Sequence, residues 1–245
     1  MNWLELFCGE GCVADGLLEA SGGQVVGIDI NGGAGRYYPG KFIRMDLMEL
    51  FRNAHFPGEG RPLVVDGVEI DAIWASPPCL RWTEMASAPS AKGLAHPDLL
   101  TPTRAWLRAT GKPYVIENVP GAPLIEPICL CGTMFKLGIS YRDRWFDLQR
   151  HRHFETNWPL KAPGPCDHQG PAVTAIGAHA RIRSKAAGGR GTADFVGYPG
   201  GHRAALGTAY DIEPDRKITC KGITDGIPPA YARYIAGQLK AHLSK

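Results

Sequence analysis

Five short apolar runs constrain this chain more than any other feature. Trp3–Phe7, Gln24–Ile28, Lys41–Met45, Asp71–Ala75 and Lys112–Ile116 each have the length and apolar content of a buried strand. Helix-compatible stretches stand between them at Val13–Ala20, Leu47–Arg52 and Pro97–Thr110. Strands alternating with helices predict an α/β fold with a parallel sheet. In such a fold ligands bind outside the carboxyl ends of the strands. The residues that follow each run are therefore the first candidates for function.

The first fifty residues form a β-turn-α-β unit. Cys8-Gly-Glu-Gly11 is a tight turn, and Gly22-Gly23 ends the helix that follows. Glycines at 9 and 11 let the backbone approach a ligand closely. Asp29, after the second strand, can accept hydrogen bonds from ribose hydroxyls. The Phe-x-Gly-x-Gly spacing is not the full dinucleotide pattern, and no Gly-Lys-Ser/Thr phosphate loop follows. A nucleoside without a polyphosphate, such as S-adenosylmethionine, fits the turn better. A purely structural glycine turn fits it as well. Asp46, after the third run, is suited either to an adenine amino group or to capping the helix at Leu47.

The next two strand ends carry chemistry. Ala75-Ser-Pro-Pro-Cys79 delivers a thiol, and Tyr114-Val-Ile-Glu-Asn-Val119 delivers a carboxyl group. A thiol beside a carboxyl group suits covalent attack on a ring that must be protonated as it is attacked. Each residue also has a plainer reading: an inert buried cysteine, and a surface carboxylate. Leu80–His96 lacks periodicity and is expected to be a mobile loop.

The 245 residues suit one α/β domain with a small appendage, and 44% hydrophobic content can fill a core. A formal net charge of +3 is compatible with nucleic acid without demanding it. No apolar run reaches membrane-spanning length. The opening Met-Asn-Trp-Leu-Glu-Leu-Phe has no basic leader and is expected to be strand rather than signal peptide. Seven cysteines without a secreted-domain pattern favour reduced thiols and a cytoplasmic location.

Six motifs in order resemble the DNA cytosine-C5 methyltransferase family, particularly its small phage-type members. Phe7-Cys-Gly-Glu-Gly11 is similar to the family's first motif, and Asp29 and Asp46 to its next two acidic positions. Pro77-Pro78-Cys79 resembles the nucleophile motif, and Glu117-Asn118-Val119 the Glu-Asn-Val motif. Arg150-His-Arg152 resembles the Arg-x-Arg motif, and Ile227–Ile235 the closing motif. The resemblance covers roughly residues 1–160 and 217–245.

It implies a Rossmann-like S-adenosylmethionine-dependent methyltransferase fold with a small target-recognition insertion at 161–216. It implies Cys79 as nucleophile toward cytosine C6, and Glu117 as the contact to N3 and the exocyclic amine. Arg152 would stabilise charge near the base and the thiolate, Arg150 would support that geometry, and Asn118 would fix the loop around Cys79. Phe7, Cys8, Gly9, Gly11, Asp29, Ile30, Asp46, Pro78 and Asp225 would line the S-adenosylmethionine site. The partner would be double-stranded DNA, with the target base flipped out, and the protein a monomer. A phage or prophage setting, with protection from restriction, follows from the resemblance alone.

Ala178–Arg203 carries Arg181, Arg183, Lys185, Arg190, His202 and Arg203 against one acid, Asp194, and is broken by glycines. Basic side chains on a Gly-rich segment suit phosphate contact. Arg181, Arg183, Lys185, Arg190 and Arg203 are the expected DNA contacts, with Phe195 and Tyr198 as candidates for base contact; a surface loop is the plainer alternative. Cys129-x-Cys131 and Cys166-x-His168 invite a zinc reading. One intervening residue per pair is shorter than the roughly two to four of common structural sites. Small phage-type members carry similar positions, so loop packing is expected and no metal.

Three departures from the family pattern stand out. Leu80 follows Cys79 where Gln is usual, Gln149 abuts Arg150, and Thr224-Asp225-Gly226 replaces the usual Gly-Asn-Ser/Ala. Leu80 and Asp225 motivate a transferase of a modified donor group as an alternative. Two further alternatives are methylation of RNA cytosine and a non-catalytic DNA-binding homologue. No ninth motif is evident, so sequence recognition is expected to be short or relaxed.

Overall fold

The computed structural model describes residues 1–53, 62–82, 97–176, 179–183, 192–194 and 198–244. The chain opens with β1 (Trp3–Leu6), α1 (Cys12–Ser21), β2 (Val25–Asp29), β3 (Lys41–Arg44) and α2 (Leu47–Asn53). A two-strand hairpin, β4 (Val64–Val65) and β5 (Val68–Glu69), leads into β6 (Ala72–Ala75), α3 (Leu100–Thr110) and β7 (Tyr114–Asn118). Next come β8 (Ile128–Leu130), β9 (Gly138–Tyr141), β10 (Arg144–Leu148) and β11 (Arg152–Thr156). The last elements are β12 (Ala172–Ile176), β13 (His179–Arg183), β14 (Thr192–Asp194), α4 (Gly201–Tyr210), α5 (Cys220–Asp225) and α6 (Pro229–Leu243).

The central sheet runs β3-β2-β1-β6-β7-β11-β8. From β3 through β7 all pairings are parallel, and β11 is antiparallel to both β7 and β8. This is the mixed α/β architecture with a mostly parallel sheet that the alternating pattern predicts. The chain moves outward from β1 to β2 and β3, then returns to place β6 on the other side of β1. The strand order reverses between β1 and β6, so their carboxyl ends flank the crevice where open α/β sheets bind ligands.

Both faces of the sheet are covered, and side chains alternate between them along each strand. Trp3, Val25, Trp74, Val115 and Phe154 share one core with residues of α1, α4 and α6. Leu4, Leu6, Val26, Ile28, Ile73, Ala75 and Ile116 share the other with Leu47 of α2 and Leu100, Trp106 and Leu107 of α3. Strands buried on both sides are near-continuous apolar runs, which is why they are legible in sequence.

The second sheet, β14-β13-β12-β10-β9, is antiparallel except for the β10–β12 pair. Two of its strands come from Gly138–Leu148. Ile139, Phe146, Leu148 and Val173 pack into the first core beside Leu206 and Tyr210 of α4. No helix among the described residues is long and apolar enough to cross a membrane.

α1 and α6 pack closely because Gly16 has no side chain. A Cβ there would stand 2.1 Å from the Pro229 carbonyl oxygen, whereas one at Gly237 of α6 would meet nothing within 4 Å. The same substitution should therefore have opposite signs at the two sites. Gly237→Ala should stabilise by roughly 0.5–1 kcal/mol through helix propensity. Gly16→Ala gains the same propensity but forces the helices apart, and should destabilise by about 1–3 kcal/mol. Thermal melts of the two variants check this; equal shifts would contradict the packing account.

Candidate active site

The glycine turn after β1 is shaped by backbone rather than side chains. Phe7, Gly9 and Gly11 all have positive φ, at 58°, 50° and 88°. Gly11 is needed because a Cβ would lie 2.4 Å from the Pro39 ring, while Gly9 faces open space. The Gly9 N–H donates to Asp29 Oδ2 at 2.9 Å, and the Asn31 N–H donates to Asp29 Oδ1 at 2.8 Å. Cys8 is buried, and burial pushes its thiol far above the ordinary range.

Beside this turn a cavity of about 470 Å³ is lined by Ile30, Arg44, Met45, Asp46, Glu49 and Leu50. Ile30 is 65% exposed there, unusual for a large aliphatic residue at a strand end. Asp46 Oδ1 accepts the Met48 N–H at 2.9 Å, so the carboxylate caps α2 while also lining the cavity. Under the turn, the Tyr38 hydroxyl donates to Glu5 Oε2 at 2.7 Å, and burial raises the Glu5 carboxyl to about 8.

The C-terminal segment closes onto the same turn through residues that the motifs do not mark. Glu10 accepts the Thr219 N–H and the Thr219 hydroxyl, both at 2.7 Å, while Thr219 caps α5 through the Gly222 N–H. Arg216 donates to Asp15 at 2.9 Å and to the Glu10 carbonyl at 2.7 Å. Glu10 stands inside the glycine turn, but its partner is 209 residues away, and no local signal reveals that. Asp225 is exposed at the end of α5 and pairs with Lys221.

The thiol and carboxyl group lie one strand further along the sheet. Pro77, Pro78 and Cys79 follow β6, and Glu117 and Asn118 end β7. Because β11 runs antiparallel to β7, its first residue, Arg152, starts beside the carboxyl end of β7. Arg152 Nε is 2.9 Å from Glu117 Oε1, and both side chains are largely buried. Ser76 hydrogen-bonds Glu117 and accepts from the Trp74 indole N–H at 3.0 Å. Asn118 Nδ2 donates to the Pro77 carbonyl at 3.0 Å, and Asn118 Oδ1 accepts the Val119 N–H at 2.9 Å. The two proline residues are thereby tied to the end of β7. Arg150 Nη2 donates to the carbonyls of Thr224 and Gly226, at 2.7 and 2.9 Å, joining this cluster to the backbone on either side of Asp225.

Burial raises the Cys79 thiol above its ordinary value. The Arg152 cation opposes that shift, and Glu117 adds to it. Burial also raises Glu117, opposed by Arg152 and then Arg150. A carboxyl group so placed can carry a proton or give it up, with an arginine stabilising the anion.

The basic residues expected at nucleic acid divide. Arg181 and Arg183 lie on β13, and Lys185, Arg190 and Phe195 lie outside the described residues. Arg203 is exposed on α4, with its guanidinium toward the carbonyls of Arg216 and Pro214. Tyr198 donates its hydroxyl to Thr208 at 3.2 Å. The β9–β10 hairpin adds a group the motifs did not mark. Arg142 and Arg144 are exposed beside Trp145, itself 47% exposed, on a turn whose central residues, Arg142 and Asp143, both have positive φ. Of the two Cys/His pairs, Cys131, Cys166 and His168 come together, joined by His151.

No protein-family model matches the chain, and no curated protein matches it in sequence. Among solved structures, it is similar to an E. coli prophage protein provisionally assigned as a DNA modification methyltransferase. That match has a TM-score of 0.61 and 13% identity, and spans 100% of both chains. The S. pombe Dnmt2 methyltransferase matches with a TM-score of 0.42 and 17% identity, over 66% of this chain and 51% of the other. A provisionally assigned methyltransferase from Thermoplasma acidophilum matches at 0.36 and 14%, over 64% of this chain and 66% of the other. The full-length match shows that the two chains share a Rossmann-like α/β fold.

A thiol raised by burial is mostly protonated at neutral pH, and its thiolate fraction grows as pH rises toward its pKa. Alkylation of Cys79 by iodoacetamide, followed peptide by peptide in the free protein, should be slow at pH 7 and rise about tenfold per pH unit up to pH 9. A rate independent of pH across that range would mean a preformed thiolate and contradict the burial account.

Proposed function

We propose that this protein is an S-adenosylmethionine-dependent DNA cytosine-C5 methyltransferase. The observation that carries the proposal is the convergence of Cys79, Glu117 and Arg152 at the carboxyl ends of β6 and β7, next to the glycine turn at the strand-order reversal.

The residues present fit the donor. Gly9 leaves open space where a ligand would approach the backbone. Asp29 suits ribose hydroxyls, Ile30 offers an exposed apolar surface for a purine, and Asp46 lines the adjoining cavity. When bound, S-adenosylmethionine supplies an electrophilic methyl group.

The remaining chemistry belongs to this chain. Cytosine C5 is a poor nucleophile while the ring is aromatic. Cys79 as thiolate adds to C6, forming the S–C6 bond and breaking the aromaticity, so that C5 becomes enamine-like. Glu117, protonated, donates to N3 and holds the exocyclic amine, which neutralises the charge that develops during attack. Arg152 stabilises Glu117 once the proton has left it and lowers the cost of the Cys79 thiolate. After C5 is methylated, loss of its proton to a base lets the S–C6 bond break and restores the ring.

Asn118 keeps the Pro77–Cys79 loop in register with Glu117. Arg150 ties the cluster to α5, and so relates it to the segment that closes over the glycine turn. The base must leave the duplex to reach the half-buried thiol. Arg142, Arg144 and Trp145 on their exposed hairpin, with Arg203 on α4, supply cationic and aromatic surface suited to DNA phosphates and to an unstacked base.

Nucleoside mass spectrometry of mixed-sequence duplex DNA incubated with S-adenosylmethionine tests the reading. The native protein should form 5-methyldeoxycytidine. Cys79→Ala should form none, and Glu117→Gln should lower the rate by roughly 10²–10⁴-fold. Folded protein that binds S-adenosylmethionine yet modifies no cytosine in DNA would overturn it.

A further inference from the structure

We propose that Cys131, His151, Cys166 and His168 form a structural zinc site. The site does not depend on the reading of the active site, because its ligands come from a separate cluster. Cys131 Sγ lies 3.3 Å from His168 Nε2, and Cys166 Sγ lies 3.7 Å from His151 Nε2. The two imidazoles meet edge to face, with centroids 4.8 Å apart and planes at 68°. One ligand atom from each of the four residues falls within 4.8 Å of all the others. Thiols and imidazoles that merely hydrogen-bond would meet in separate pairs. Here both pairs are drawn to one point.

The spacing suits the ion. Zinc–sulfur bonds of about 2.3 Å and zinc–nitrogen bonds of about 2.0–2.1 Å at tetrahedral angles give ligand–ligand edges of roughly 3.3–3.8 Å. The two sulfur–nitrogen distances fall in that range, and a small contraction brings in the other edges. Two thiolates with two imidazoles form a closed donor set with no position left for water, as in structural rather than catalytic sites. Outer groups are in place as well. The Thr133 hydroxyl donates to Cys131 Sγ at 3.4 Å and accepts the Asp167 N–H at 3.2 Å, so it bridges two ligand-bearing segments. Cys129, the other thiol of the Cys-x-Cys pair, hydrogen-bonds the Leu130 carbonyl and is not one of the four.

The ion would join three stretches of chain. Cys131 follows β8, His151 immediately precedes β11, and Cys166 and His168 lie on the segment that enters β12 of the second sheet. His151 stands between Arg150 and Arg152, and its carbonyl accepts from Arg152 Nη1 at 2.9 Å. A metal holding the His151 ring therefore fixes the backbone from which both arginines project, and clamps the second sheet to the first at that point.

The test is metal content and coordination in the full chain. Protein is produced in zinc-supplemented medium, purified with a non-chelating reductant and gel-filtered before elemental analysis. One zinc per chain is expected. Replacement by cobalt(II) should give the intense visible bands of a tetrahedral ion and a near-ultraviolet thiolate-to-cobalt band.

Cys166→Ser and His168→Asn, both on the entering segment and so the least disruptive changes, should each lose the stoichiometric zinc. Losing a ligand should weaken binding by more than the roughly 10–100-fold of a lost outer partner. Cys129→Ser should keep the ion. Folded native protein that retains no zinc after titration would overturn the proposal. So would a Cys131–Cys166 disulfide in its place, or zinc retained equally by Cys166→Ser and His168→Asn.

Discussion

The ion pair between Glu117 and Arg152 sits at the seam where the parallel part of the sheet meets its antiparallel edge. β7 arrives with its carboxyl end carrying Glu117, and β11 departs in the opposite direction from Arg152. Had β11 run parallel to β7, its first residue would lie at the far edge of the sheet. The reversal of one edge strand thus brings a cation to the place where every other strand delivers anions, thiols and turns. A buried pair of this kind contributes little net stability, yet removing one partner costs about 3–5 kcal/mol because a charge is left unpaired. Its value lies in poise. Burial favours a protonated carboxyl group and a neutral thiol, while the guanidinium favours both anions.

Around this pair the fold is closed by long-range polar ties rather than local ones. Glu10 to Thr219, Arg216 to Asp15 and Arg150 to the Thr224 and Gly226 carbonyls bind the C-terminal segment to the glycine turn and to the arginine cluster. Gly16 then lets α6 lie directly on α1. The cavity beside Ile30 and the loop bearing Cys79 are consequently parts of one frame, as the proposed reaction requires.

What was legible in sequence follows from this physics. Strands buried on both faces are continuous apolar runs, so β1, β2, β6 and β7 are evident, as are the Cys79 and Glu117 positions at their ends. The β4–β5 hairpin was overlooked although Asp66-Gly67 between valines is a strong turn signal, with both residues at positive φ. Its strands are only two residues long and make no apolar run. The second sheet was not anticipated. The β9–β10 hairpin shows half-exposed alternation rather than a continuous run, and its short connection to β11 gives no compositional break.

The Cys/His pairs show a different limit. Pairing by proximity in sequence suggested Cys129 with Cys131. The fold instead turns the Cys129 thiol to the Leu130 carbonyl and brings His151, just before β11, to Cys131. Only tertiary structure reveals that choice. Glu10 and Arg216 were missed for the same reason.

The most direct test of the central claim is covalent trapping on duplex DNA containing 5-fluorodeoxycytidine, in the presence of S-adenosylmethionine. Fluorine cannot leave C5 as the proton does, so the S–C6 bond should persist. A denaturant-stable protein–DNA adduct mapped to the Cys79 peptide is the predicted result. Its absence, or attachment through a different cysteine, would contradict the assignment of Cys79 as the nucleophile that Glu117 and Arg152 serve.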